Sequence, residues 1–133
     1  MNSPRAEHAP SQGNIVRDCP GTKDHICCGY KTIDLIEGCA LSCSYCILKA
    51  YLNTPAITIH DDIPYITSQI DGMTGREARH ILRFGTGELS DSLALDRRYR
   101  LNRPLVEFFG ERKNALLELK SKWAYIDHLI PHL

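Results

Sequence analysis

The run Tyr30-Lys31-Thr32-Ile33-Asp34-Leu35-Ile36-Glu37-Gly38-Cys39-Ala40-Leu41-Ser42-Cys43-Ser44-Tyr45-Cys46 sets the architecture. Over residues 30–36, Ile33 and Leu35 alternate with Thr32 and Asp34, the period of a strand. The strand feeds Glu37-Gly38 and a loop holding three cysteines. Beyond Cys46, the residues Ile47, Leu48, Tyr51 and Leu52 recur at helical spacing, and Asn53-Thr54-Pro55 stops the pattern.

Further along, Asp61 or Asp62 caps a second helix with Pro64 in its first turn. Ile63, Ile66 and Ile70 form its apolar side, and Asp71-Gly72 ends it. Residues 79–84 read as a second strand entering Gly85-Thr86-Gly87-Glu88. A third helix over 104–113 carries Leu105, Phe108 and Phe109 as its core stripe, and 115–120 read as a third strand. The remainder, through Trp123, Ile126, Leu129 and Ile130, is helical or connecting, broken at Pro131; Trp123 is expected to pack at the sheet's edge.

Strand, helix, strand, helix, strand is the alternation of an α/β fold with a parallel sheet. Such sheets carry chemistry at the carboxyl ends of their strands. The cysteine loop, Gly85 to Glu88, and Lys120-Ser121-Lys122 each follow a strand, so all three are expected on one edge. No internal repeat and no low-complexity stretch interrupts the order.

The composition bounds the rest. The 133 residues are 43% hydrophobic and 24% charged, in the range of a folded globular domain. Residues 1–18 are polar, contain Pro4, Pro10 and Gly13, and read as a flexible lead-in, with the domain proper over 19–133. No run nears the ~20 apolar residues of a membrane span, and the start lacks a secretory h-region. Sixteen basic residues balance sixteen acidic ones, which argues against a partner held by bulk positive charge. Arg97, Arg98, Arg100 and Arg103 are the one local basic excess, suited to phosphates or to a solvated loop. The six histidines show no metal-binding spacing.

Six cysteines without an export signal suit a cytoplasmic protein whose thiols are ligands or reactive groups rather than disulfides. Cys39, Cys43 and Cys46 can surround one metal. A closed zinc site requires a fourth ligand from Cys19, His25, Cys27 or Cys28, whereas an iron–sulfur cluster on three thiolates leaves one iron open. Spacing alone leaves both open. Adjacent Cys27 and Cys28 are not expected to join one site, because neighbours in a strand point to opposite faces.

Gly38-Cys39-Ala40-Leu41-Ser42-Cys43-Ser44-Tyr45-Cys46 resembles the cluster loop of radical S-adenosylmethionine (SAM) enzymes. With Cys27-Cys28-Gly29-Tyr30, Leu48-Lys49-Ala50-Tyr51-Leu52, Arg83-Phe84-Gly85-Thr86-Gly87-Glu88 and Ser90-Asp91-Ser92-Leu93-Ala94-Leu95-Asp96, the chain is similar to the spore photoproduct lyase family from about Cys19 to Lys122. The resemblance implies a partial (β/α) barrel with about three βα units. It implies that Cys39, Cys43 and Cys46 hold a [4Fe–4S] cluster whose open iron takes SAM. Reduction by a donor such as a flavodoxin or ferredoxin then yields methionine and a 5′-deoxyadenosyl radical. By the same resemblance Gly85, Thr86, Gly87, Glu88 and Ser90 contact SAM, and Lys122, with Lys120 as competitor, reaches its carboxylate. Tyr45 becomes a member of the radical or SAM pocket.

Two departures bear on the substrate. Glu88 stands where photoproduct-cleaving members carry a hydrogen-donating cysteine, and no cysteine follows Cys46. Ile47 replaces a tyrosine. These differences argue against thymine-dimer repair and for a lyase-like relative with another substrate. A βα unit takes roughly 30 residues and a whole barrel about 250. A truncated, non-catalytic remnant that still binds metal is therefore the alternative, with a small structural zinc module third. A short barrel would leave the third strand exposed to a complementing chain or to self-association.

Overall fold

The computed structural model describes residues 6–10, 12–52 and 55–133. Seven strands, four α-helices and a terminal 3-10 turn are found among them. In chain order they are β1 (Ala6–His8), β2 (Val16–Asp18), β3 (Lys31–Ile33), β4 (Ile36–Glu37), α1 (Leu48–Tyr51), β5 (Ile57–Ile59) and α2 (Ile63–Arg76). β6 (Leu82–Gly85), α3 (Asp96–Tyr99), α4 (Asn102–Gly110), β7 (Ala115–Glu118) and the 3-10 turn Ile130–His132 follow. The main sheet has the order β2-β3-β6-β7, and a smaller one has the order β1-β5-β4.

The three anticipated strands are β3, β6 and β7, and they pair in parallel, with Lys31 opposite Phe84 and Phe84 opposite Leu117. Helices separate them as anticipated, so the fold is α/β. α2 is capped by Asp62, whose carboxylate accepts the Tyr65 N–H at 3.0 Å. It buries Ile66 and Ile70 completely, and α4 does the same with Leu105. Both helices lie against the sheet face that carries Phe84, whose ring meets Phe109 at 5.5 Å. Each such apolar side chain contributes about 1.5–3 kcal/mol by leaving water.

Several boundaries differ from the sequence reading. The stretch 1–18 is not a plain lead-in: β1 pairs with β5, and β2 closes one edge of the main sheet antiparallel to β3. The reason is local. Ile15 and Val16 are buried, and their N–H groups donate to Gln69 Oε1 at 3.0 and 2.9 Å. Lys31 completes the anchor; it is buried on the helical side, bonded to Asp18 at 2.6 Å and to Glu77 at 3.0 Å. The Asp18 bond holds its ammonium above the ordinary lysine value. Residues 1–5 of that stretch, and the helix stop at Asn53-Thr54, lie outside the described residues.

α2 also runs past Asp71-Gly72 to Arg76. Asp71 binds Arg112 of the α4–β7 connection at 3.0 and 3.1 Å instead of ending the helix, and Thr74 is buried one turn on. The second strand begins at Leu82 rather than 79, and the third helix spans Asn102–Gly110 rather than 104–113. Trp123 is 46% exposed and only partly packed.

Because Phe84 is fully enclosed, Phe84→Ala is expected to remove about 3–5 kcal/mol of stability in urea denaturation. Leu116→Ala on the exposed face should change it by no more than about 0.5 kcal/mol. Equal effects would contradict a core confined to the helical side.

Candidate functional site

The single strand expected over 30–36 is split into β3 and β4, and the cysteine loop leaves β4, of the smaller sheet, through Gly38. Its φ of +97° is a conformation L side chains rarely adopt, and a Cβ there would stand 2.9 Å from the Ala56 carbonyl oxygen. The Gly38 N–H donates to the Leu89 carbonyl at 3.0 Å, joining the loop after β4 to the loop after β6. The chain then turns tightly, with the Cys46 N–H on the Cys43 carbonyl. Cys39, Cys43 and Cys46 are half-buried, free of disulfides, and Cys39 Sγ accepts the Leu41 N–H at 3.4 Å.

All three thiols line one cavity of about 380 Å³. Gly87, Glu88, Ser90 and Asp91 form its second wall, and Lys120, Ser121 and Lys122 its third. The three strand-end segments meet there, as the alternation of elements led us to expect. A second cavity of about 430 Å³ lies on the α1 side of the cysteine loop, without any residue of the other two segments. The first is the chemically richer one, since it alone joins thiols to a carboxylate and ammonium groups.

Asp91 fixes its shape. Oδ1 accepts the N–H groups of Leu93 and Ala94 at 2.9 and 3.0 Å and the Ser121 hydroxyl at 2.7 Å. Oδ2 accepts the Lys122 N–H at 2.7 Å. Ser92 makes a second tie: its hydroxyl accepts from Thr86 Oγ1 at 2.7 Å and from the Lys120 N–H at 2.9 Å. Gly87, at φ +86°, has no room for a side chain, because a Cβ would lie 2.7 Å from Ser92 Oγ.

The site residues read from the sequence divide accordingly. Cys39, Cys43, Cys46, Gly87, Glu88, Ser90 and Lys122 share the cavity. Gly85 and Thr86 do not line it. Gly85 admits Tyr30, whose Oη lies 1.4 Å from where a Cβ at 85 would be, and buried Thr86 is bonded to Ser92. Tyr45 does not line it either: it is 73% exposed, with the Lys122 ammonium 5.5 Å from its ring centre. Asp91, Ser92 and Ser121 were not singled out by sequence. Asp91 stood in the sequence only as part of the segment 90–96 that carries the resemblance, and its position before Ser92-Leu93-Ala94, where a carboxylate can turn back on the following N–H groups, was the signal for its role.

Lys120 is also at the cavity, its ammonium 4.3 Å from the Tyr30 ring centre. Burial pulls this group down, but Tyr30 and Glu118 outweigh that and leave it above the ordinary lysine value. Nearby, Arg17 binds buried Asp34 at 2.6 Å and feels the charges of Glu88 and Glu37. Burial raises the Asp34 carboxyl above the usual aspartate value despite Arg17.

Three free thiols, one already receiving an N–H, make a donor set suited to a soft metal centre. Among the described residues, no three His, Cys, Asp or Glu side chains stand converged on one metal position. Nor, among the described residues, is any helix long and apolar enough to cross a membrane.

The sequence profile of a family described as spore photoproduct lyase matches residues 26–132. Spore photoproduct lyase of a Geobacillus strain is 28% identical over 99 residues, covering 74% of this chain and 29% of that protein. The Bacillus subtilis enzyme is 26% identical over the same length and coverage. A solved cysteine-to-alanine variant of spore photoproduct lyase with dinucleoside spore photoproduct superimposes with a TM-score of 0.71. It is 28% identical, and the match covers 75% of this chain and 29% of that one. A double variant with bound AdoMet and dinucleoside spore photoproduct gives 0.68 at 28% identity, covering 72% of this chain and 28% of that one. The chain thus spans under a third of the length of these relatives.

Two outcomes follow from this geometry. Asp91→Ala leaves four donors without their acceptor and should cost about 3–5 kcal/mol, with loss of amide-exchange protection at Lys122; retained protection there would contradict the tie. For Asp34, the native carboxyl binds its proton more tightly than the unfolded chain does. Its contribution is therefore greatest below the ordinary aspartate value near 3.8 and declines as pH rises through the raised one. Relative to Asp34→Asn, the wild-type chain should lose stability over that window, and a flat difference would refute the assignment.

Proposed function

The chain belongs to the spore photoproduct lyase family, and from that premise we propose that it is the cluster- and SAM-binding part of a radical SAM lyase. The observation that carries this reading is the single cavity shared by Cys39, Cys43, Cys46, Glu88, Ser90 and Lys122. In it, β3, β6 and β7 are the first three strands of a partial (β/α) barrel. Support comes from their parallel order and from the helices packed on one face only.

Cys39, Cys43 and Cys46 would hold a [4Fe–4S] cluster as thiolates. When bound, the cluster supplies the electron that opens the sulfonium C–S bond of SAM. The chain's own residues bind and orient. Gly87 lets a ligand approach the backbone beside Glu88, whose carboxylate accepts from an ammonium group. Ser90 offers a hydroxyl on the same wall. Lys122, backbone-anchored by Asp91, meets a carboxylate, and Lys120 adds a second positive charge. Gly85 and Thr86 act behind the wall, through Tyr30 and Ser92. Tyr45 covers the rim beside Lys122 and limits access of water.

We infer a substrate other than the thymine dimer, since Glu88 occupies the place of the family's hydrogen-donating cysteine. The solved relatives hold AdoMet and dinucleoside spore photoproduct; for this chain SAM is the ligand proposed, with a flavodoxin- or ferredoxin-like electron donor in the cytoplasm. One second reading, binding without turnover, is favoured by Glu88 at the place of that cysteine, which leaves the position without a hydrogen-donating thiol. The open edge of β7, with Leu116 57% exposed, would then accept a complementing chain or a second copy.

Anaerobic reconstitution should load about four irons and four sulfides per chain, lost when Cys39, Cys43 and Cys46 become alanine. Zinc alone, without the visible absorbance of an iron–sulfur cluster, would overturn the proposal. Catalytic formation of 5′-deoxyadenosine from SAM with dithionite separates the enzyme from the remnant.

A further inference from the structure

The cysteine loop is reached from two sides. The cavity of about 380 Å³ faces the segments after β6 and β7, where Glu88, Lys120 and Lys122 line it. The cavity of about 430 Å³ lies on the α1 side, and Cys39 and Cys46 line both. Two of the three gathered thiols are therefore approachable from a side that the proposed SAM ligand does not use.

That second side has a distinct chemistry. Leu41, Leu48, Leu52 and Pro55 make it largely apolar, with Ser42 and Lys49 beside them. Helix α1 buries none of its residues, and Tyr51 is 70% exposed. From Gly38 to His60 the sequence holds no Asp or Glu, and Lys49 is its only Lys or Arg, in a chain with sixteen charges of each sign. The carboxylates that flank this stretch are engaged: Glu37 accepts from His60 at 3.2 Å and Asp61 from His8 at 2.8 Å. Lys49 is exposed and has no ion-pair partner among the described residues. An apolar face beside an unneutralised ammonium suits a partner with an acidic rim. It does not suit a second copy, because a two-fold contact would set this face, Lys49 included, against itself.

We propose that the α1 side of the cysteine loop is the docking surface for a small acidic protein that carries one electron. The inference rests on the reading of Cys39, Cys43 and Cys46 as cluster ligands given above. One electron leaves the carrier's reduced flavin or iron–sulfur group, which is oxidised by one, and reduces the centre held by the thiols by one. No bond forms or breaks. Redox encounters of this kind are weak and bury under about 1,200 Å², so a short apolar face with one charge is enough. Attraction between opposite charges sets the approach. The first cavity stays free, so ligand and carrier can be held at once.

The full chain without metal is titrated with an acidic flavodoxin at low salt and followed by calorimetry. A one-to-one complex should form and weaken as salt rises. Lys49→Glu should weaken it about tenfold or more, and Tyr51→Asp several-fold. Lys113→Glu makes the same change in net charge just before β7, at the end of the sheet away from the cavity, and should have no effect. A basic cytochrome of similar size should not bind. After cluster loading, dithionite should reduce the wild-type chain and Lys49→Glu at one rate, whereas reduced flavodoxin should act several-fold more slowly on Lys49→Glu. No complex, equal losses with Lys49→Glu and Lys113→Glu, or equal binding of the cytochrome overturns the docking surface. A chain that takes up no iron overturns the cluster reading instead, since the titration is made without metal.

Discussion

The geometry of the cavity depends on one carboxylate. Asp91 is nearly enclosed, and its two oxygens accept four donors drawn from the turn that follows it and from the segment after β7. Neither segment has regular structure to hold it, so without this acceptor their N–H groups would need water inside a half-closed wall. Hydrogen bonds to an ionised acceptor are stronger than neutral ones, which is why a single side chain can set the separation of two strand ends. Ser92 adds a second tie one residue on, and Gly38 brings the cysteine loop in through Leu89. The cavity is thus defined by backbone donors as much as by the side chains that face into it.

The main sheet has two unlike faces, and the difference follows from side-chain alternation. Ile33, Leu82, Phe84 and Ala115 meet the helices and make the core. The other face carries charge: Arg83 pairs with Glu118, and Tyr30 lies beneath Arg83 at 5.4 Å and Lys120 at 4.3 Å. Gly85 is required on this side because Tyr30 fills the volume its side chain would take. A glycine that looks like part of a ligand-binding motif therefore acts first through packing. It clears the path by which the Tyr30 ring supports Lys120 at the cavity.

Legibility in the sequence tracked the strength of each physical signal. β3 and β6 announce themselves by apolar residues running into glycine, β7 by its short apolar run 115–119, and α2 by Asp62, Pro64 and the Ile63-Ile66-Ile70 spacing. Their parallel pairing, and the meeting of three loops at one edge, followed from that order alone. β1 and β2 are three residues each and bury little, so no periodicity could reveal them. β2 is held because Gln69, more than fifty residues away, receives the Ile15 and Val16 N–H groups, and β1 because it pairs with the equally distant β5. The role of Asp91 was equally hidden, since its partners at Ser121 and Lys122 are thirty residues distant and nothing in the sequence links them to it. Cys39, Cys43 and Cys46, by contrast, needed only their own spacing to be recognised as a group.

The six cysteines sort by position along the chain. Three follow β4, where the loop is clamped by Gly38 and faces the carboxylate and lysines of the neighbouring segments. Three precede β3, and of these Cys27 and Cys28 project into solvent. Thiols in the first set gain from convergence, because a soft metal centre needs several donors at once. The segment β3–β4 thus separates a group of thiols gathered at the cavity from a group left in the connection before it.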